Sequence, residues 1–411
     1  MLNNRNHPSA SSTVHGVAPR RRLIVATVIS AMGSAAFADE GPSFKLTGFG
    51  TIAAVHSSDS GSDFVGSLFQ PNGAGHTSAW SFNPDSKLGG QVNAVLNNEV
   101  AGVVQVVAQH RYDNSYIPQI EWANLTYQLS PELRLRAGRI AAPSFLLSES
   151  RFVGYANSAV RPPTEVYGLL PITSNDGADA TWRRELAGAN NTAQVYVGRS
   201  KVHLSGGAAS ESKLSWGLND TVEMGALTLR AGYNSLELNL TSPSLTPLLD
   251  AIRGMGMAQI ADKYKLTNMN LSVTSLAASY DPGDWFLTGE FAKLKGAGFL
   301  SDATSWSGSA GYRFGSLTPF AAYASTKGQI KPETGAGPMS APLTSILYGF
   351  TPTQNTASVG MRWDAMKNLA LKAQYDSVNI GSSSSGRFMT FAGVTPSKHP
   401  KLITLAADFV F

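Results

Sequence analysis

The sequence predicts an all-β protein, a sixteen-stranded antiparallel barrel that crosses a membrane, and three observations carry that prediction. Beyond residue 38 no stretch of about 18 or more residues is continuously apolar, so helical spans are not expected. What recurs is alternation of polar and apolar residues over about 10 residues, broken by turn residues, the per-segment signature of a membrane-spanning strand. The connections between these segments alternate between tight turns and long Gly-, Ser-, Asn- and Pro-rich stretches.

The first 38 residues stand apart. "RRRLIVATVISAMGSAAFA" holds three arginines, an apolar run from Leu23 to Phe37, and Ala36-Phe37-Ala38, a small-x-small cleavage pattern. This predicts a signal peptide over 1–38, a mature barrel domain over 39–411, and export by the general secretory route. The apolar run is short for a spanning helix and is diluted by Ser30, Gly33 and Ser34. Removing the leader also removes Arg5, Arg20, Arg21 and Arg22, so 32 Lys plus Arg less these four leaves 28, against 28 Asp plus Glu. No basic stripe remains to favour nucleic acid. The absence of cysteine excludes a disulfide framework, Cys-ligated zinc and a thiol nucleophile.

Taken in order, strands are expected at 43–56, 85–97, 99–111, 118–129, 131–141, 177–186, 191–199, 213–222, 226–235, 269–281, 284–295, 303–314, 316–327, 355–364, 367–377 and 401–411. Tight turns fall at Asn97-Asn98, Ser130-Pro131, Ala187 to Asn190, Met224-Gly225, Asp281 to Asp284, Gly315-Ser316 and Ala365-Met366. The longest connections cover 57–84, 142–176, 236–268, 328–354 and 378–400. Within them, the spacing from Leu245 to Ala261 predicts a short helix, and "GSSSSG" at 381–386 predicts a flexible loop tip.

Polarity within the strands predicts which face looks inward. Lys87, Gln91 and Asn93 share one face of the second strand, while Leu88, Val92, Ala94 and Leu96 share the other. Ser305, Ser307, Ser309 and Arg313 oppose Trp306, Tyr312 and Phe314, and Ser358, Gly360, Arg362 and Asp364 oppose Val359, Met361 and Trp363. Tyr312, Phe314 and Trp363 are placed for an interfacial girdle. In the last strand Ile403, Leu405, Ala407, Phe409 and Phe411 form an apolar row for lipid. Glu121 and Trp122 give no unambiguous face.

These segments carry a resemblance. "FKLTGFGTIAAVH", "DSKLGGQVNA" and the terminal Phe411 resemble the first strand, second strand and assembly signal of the sixteen-stranded trimeric porins of Gram-negative outer membranes. "LRLRAGRIAAPSFLLSESRFVGYANSAVRPPTEVYG" resembles their fifth strand and constriction loop. The resemblance implies an outer-membrane location, short periplasmic turns, long extracellular loops, and a third loop folded into the lumen. It also implies contact with outer-membrane lipid and lipopolysaccharide, handling by the barrel-assembly machinery through the C-terminal strand, and a homotrimer. Gly48, Gly50 and Ala54 make the first strand's outer face small enough for close packing between copies.

Candidate site residues follow. The 142–176 connection holds Glu149, Glu165 and Asp176 against Arg151 and Arg161, a slight acidic excess, and its Pro162-Pro163 pair is rigid. Alternation turns Lys87, Arg111, Arg183, Arg313, Arg362 and Lys372 inward, with Arg134 and Arg136 if the fifth strand is regular. Acidic loop facing basic wall would set a field across a narrow aqueous slot; the plainer reading pairs several of these cations with Glu185, Asp364 and Asp376. If Glu149 and Glu165 border the conduction path, replacing both by glutamine should move selectivity toward anions. None of the five histidines beyond the leader sits in a metal-ligand spacing or beside a nucleophile motif, so no enzyme, cofactor or metal is expected. "SNDGAD", with Asn175, Asp176 and Asp179, is read as a turn entering a strand. The function expected is passive diffusion of small hydrophilic solutes and ions. A channel specific for sugar, phosphate or carboxylate, or a barrel-scaffolded adhesin or receptor, stays open beside it.

Overall fold

The computed structural model describes residues 41–329 and 331–411, so the expected leader lies outside the described residues. Sixteen strands form one sheet: β1 (Ser43–Ser57), β2 (Lys87–Val95), β3 (Val100–Gln109), β4 (Gln119–Gln128), β5 (Leu133–Ala141), β6 (Ser174–Leu186), β7 (Ala189–His203) and β8 (Ala209–Met224) make one half. The other half is β9 (Leu227–Thr241), β10 (Met269–Tyr280), β11 (Trp285–Lys295), β12 (Ala303–Tyr312), β13 (Leu317–Gly328), β14 (Thr353–Met366), β15 (Leu369–Ile380) and β16 (Lys401–Val410). Each strand pairs antiparallel with its neighbours in sequence, and β1 pairs with both β2 and β16, which closes the barrel and leaves no open edge among these strands.

Seven short turns lie at one end. Five of them use left-handed backbone, at Ala187-Gly188 (φ 52° and 79°), Gly225 (φ 60°), Gly283 (φ 115°), Gly315 (φ 62°) and Asn368 (φ 66°), and all but Ala187 are the Gly and Asn that such turns select. The opposite end carries the connections 58–86, 110–118, 142–173, 204–208, 242–268, 296–302, 329–352 and 381–400.

Alternation sorts the side chains as expected over the lower barrel. Ile403 and Leu405 are exposed outward while Leu402, Thr404, Ala406 and Asp408 are buried inward. Tyr312, Phe314 and Trp363 are exposed near the turn end, and Trp306 lies six residues before Tyr312, roughly 20 Å up the strand, its ring tilted against that of Tyr323 at 5.3 Å. Two aromatic belts therefore bracket an apolar band. The space beside Gly48 and Gly50 is filled by the rings of Phe411 and Phe409 from β16, so these glycines accommodate the chain's own terminal strand rather than leaving a bare surface.

Strands β7, β8 and β9 run several residues beyond the expected 191–199, 213–222 and 226–235. In β9, Arg230 and Asn234 face inward, but higher up Leu236 and Leu238 are the buried residues and Glu237 and Asn239 turn outward. The polarity inverts where the strand leaves the apolar band, so the apolar-out alternation ends there.

The long connections fold. Ser62–Phe64, Ala74–Gly75 and Phe388–Thr390 form a small sheet joining the first and last of them. Buried Asp63 accepts from the amides of Gly73 and Thr77, and buried Asp59 accepts from the amides of Gly61 and Ser397. Within 381–386, Ser384 is buried and donates to the Thr351 carbonyl at 2.7 Å, so this stretch is tied down rather than a free tip. Helices α1 (Leu245–Gly254), α2 (Ala258–Lys263) and α3 (Ser340–Gly349) form a second cap, with Leu249, Ile252, Tyr264, Phe299, Leu343 and Leu347 as its core.

Candidate functional site: an inward-folded connection and a basic passage

The 142–173 connection lies inside the barrel, bonded to inward-facing side chains around much of the wall. Near its start, Arg230 donates to the Pro143 carbonyl and Ser275 to the Ser144 carbonyl, both at 2.9 Å. Glu290 of β11 accepts from the Leu146 amide at 3.1 Å and from the Tyr167 hydroxyl at 2.8 Å. Phe145, Val166, Tyr167, Leu169, Leu170 and Ile172 then pack on Leu236, Leu238, Leu271, Val273 and Leu294 of the wall. Against β9 to β12 the connection is thus sealed by a dry core, where alternation alone predicted a wet interior.

Its middle is held by charge. Lys372 donates to the Gly154 and Ala159 carbonyls at 2.8 and 3.0 Å and meets Asp408 at 2.7 Å, both side chains having no exposure. Arg362 donates to the Tyr155 and Asn157 carbonyls at 2.6 and 2.9 Å while pairing with Asp364 at 2.8 Å. Gly154 lies so close to Thr51 and Asp408 that a side chain there has no room. Arg161 reaches Asp85 at 2.6 Å and Asp376 at 3.0 Å. Burial opposes its charge, yet the two carboxylates hold its pKa above the usual arginine value. Glu165 is 2% exposed, accepting from Gln354 at 2.7 Å and from the Thr356 hydroxyl.

Of the expected wall cations, Arg362 and Lys372 therefore serve as clamps on the connection. Arg136 pairs with Asp179 at 2.8 Å and lies 3.7 Å from Glu149. Arg313 sits in a short turn, bound to Asp281 at 2.7 Å. Arg134 and Arg183 share the inward parity of Arg136 and Asp179 and make no ion pair among the described residues. Asp176 pairs with Arg139 at 2.7 Å, both on the row of β5 and β6 opposite to Arg136 and Asp179. Glu185 makes no ion pair among the described residues, whereas Asp364 and Asp376 do.

The open space lies on the other side, between the connection and strands β2 to β7. It is lined by Lys87 of β2, Arg111 beyond β3, Glu121 of β4, Arg151 and Arg161 of the connection, and Arg387 of the 381–400 stretch. Neither Glu149 nor Glu165 lines it. Glu121 is buried at a bulge where Gln105 pairs with Trp122 and Val106 with Ile120, and that extra residue is why its face was unreadable. Arg387, Asp85 and Asp408 were not foreseen. Arg387 lies in a Gly- and Ser-rich stretch with no periodicity, and Asp85 and Asp408 acquire meaning only from partners 76 and 36 positions away.

A family model described as Gram-negative porin matches residues 25–381. No curated protein sequence matches the chain. Among solved structures, Salmonella typhi OmpF is similar at 13% identity, covering 91% of this chain and 99% of that one with a TM-score of 0.55. The anion-selective porin from Comamonas acidovorans is similar at 12% identity, covering 90% and 100% with a TM-score of 0.56. Vibrio cholerae OmpT, in its trimer form, is similar at 12% identity, covering 90% and 100% with a TM-score of 0.51. With a closed sixteen-stranded barrel and a family match over most of its length, the chain belongs to the Gram-negative porin family.

Proposed function

We propose that this outer-membrane channel for passive diffusion narrows at the inward-folded 142–173 connection, and that small hydrophilic solutes and ions pass beside it, between Arg151 and the wall that begins at β2. The observation that carries this reading is the asymmetry of the connection, apolar and sealed against β9 to β12, charged and open toward Lys87, Arg111 and Glu121. Glu149 and Arg161 position the connection through Arg136, Asp85 and Asp376, and Glu165 does so through Gln354 and Thr356. Arg134, Arg136 and Arg183 give the route a basic lower wall.

The protein works as a homotrimer in this reading, by analogy with the trimer form of Vibrio cholerae OmpT. Its outer band contacts lipid and lipopolysaccharide, and Phe411 serves the assembly machinery. Liposomes carrying the folded barrel should swell in small sugars at rates that fall with solute size, and cross-linking in native membranes should trap three copies. Liposomes that swell no faster than empty ones would reject the channel reading, and a purely monomeric cross-linking pattern would reject the trimer.

A further inference from the structure

Six cations on the lining make no ion pair among the described residues: the exposed Arg199 and Lys201, and Lys87, Arg111, Arg151 and Arg387, which the argument concerns. Arg387 is the most telling. It is 7% exposed, its Nε and Nη2 are buried without a hydrogen-bond partner, and its guanidinium lies over Gly168, where the missing side chain leaves room for it. Arg111 likewise keeps Nε and Nη2 buried and unpartnered. A buried guanidinium without an acceptor is costly unless something supplies one. The local acids do not: Asp85 is taken by Arg161 and Asp176 by Arg139, which leaves Glu121 as the remaining carboxylate on the lining. Burial pulls the Arg387 pKa down to about 10, which still leaves it charged at neutral pH.

We infer that this cluster is a transient binding site for oxyanion groups, carboxylate or phosphate, carried by small solutes, with Arg387 and Arg151 reaching from two different loops toward Lys87 and Arg111. Guanidinium forks match the two oxygens of a carboxylate or phosphate in a way chloride does not exploit. A site of this type retards and concentrates such solutes at the narrowing, so the channel favours anions over cations. The inference rests on the reading of the protein as a channel that narrows at this connection.

The test is electrical. In a planar bilayer with a potassium chloride gradient, the parent barrel should give a reversal potential of anion-selective sign, and millimolar succinate or phosphate should reduce the chloride current while glucose does not. Block by one of the two alone identifies which oxyanion the site takes. The Arg151→Gln/Arg387→Gln variant should lower the anion-to-cation permeability ratio by about threefold or more at low salt, where screening is weakest. Arg387→Lys, which keeps charge and loses the fork, should retain ion preference and lose block. Arg253→Gln, on the exposed cap, should change neither. A parent of cation-selective sign, or a double variant that conducts with the parental ratio and block, overturns the inference. Should the double variant fail to show the heat-shifted band of a folded barrel, the parent and Arg387→Lys decide the matter alone. A folded parent with no conductance would instead reject the channel reading itself.

Discussion

Lys372 and Asp408 show how single residues hold the interior. Their 2.7 Å contact is wholly buried, the Thr51 hydroxyl donates to the same carboxylate at 2.5 Å, and the remaining protons of Lys372 go to backbone carbonyls of the inward connection. Removing one partner strands a buried charge, so Lys372→Met should cost about 3 to 5 kcal/mol, and Lys372→Met/Asp408→Leu should recover a large part of it. The temperature at which the folded band disappears in detergent reads both. Equal loss in single and double variants would show that packing, rather than the pair, dominates. Alternation correctly turned Lys372 inward, but its role was not legible, because a clamp depends on carbonyls more than 200 positions away that no local pattern encodes.

At the scale of elements, strands were legible where lipid imposes a rule and illegible where it stops. The lower part of β9 obeys apolar-out and polar-in, whereas Leu236 and Glu237 obey the reverse because water lies outside and the packed connection inside. The helical cap follows ordinary soluble rules, so the spacing of α1 from Leu245 was readable, but the single helix expected to Ala261 breaks at Gly256 (φ 81°) into α1 and α2, and α3 was not foreseen. The cap's polar tie is Glu333, which accepts from Lys263 at 2.6 Å, Tyr264 at 2.8 Å and the Gly335 amide at 2.7 Å. The Lys263 bond first, aided by the amide and the tyrosine, lowers the Glu333 pKa to about 2 from an ordinary carboxylate value near 4.5. A depressed carboxylate stabilises fully above its unfolded value and ceases to do so as pH falls through the folded one. The cap should therefore keep its hydrogen-exchange protection from pH 7 to near 5, then lose the Glu333 share of it between about 4.5 and 2. Glu333→Gln should be looser at pH 7 and nearly insensitive to that descent. A parent whose cap opens between pH 7 and 5 would contradict this assignment.

For the whole molecule, closure is the governing fact: β1 pairs with β16, and the Phe409 and Phe411 rings cover Gly50 and Gly48 across that seam. Deleting Phe411 should lower the yield of heat-modifiable barrel several-fold in cells, and unchanged yield would remove its assembly role. The sixteen strands and their alternating short and long connections were legible because each is set by local period and turn chemistry. The passage was not, because Arg387, Arg151 and Lys87 meet only after three distant segments fold together. The central claim is that the route runs beside the inward connection at Arg151, and the absence of native cysteine allows a direct test. In single-channel recordings of Arg151→Cys, a thiol-reactive methanethiosulfonate reagent should cut the conductance in discrete steps, while Arg253→Cys on the cap should label without change. Complete labelling of Arg151→Cys, verified by mass, with conductance unaltered would contradict the account.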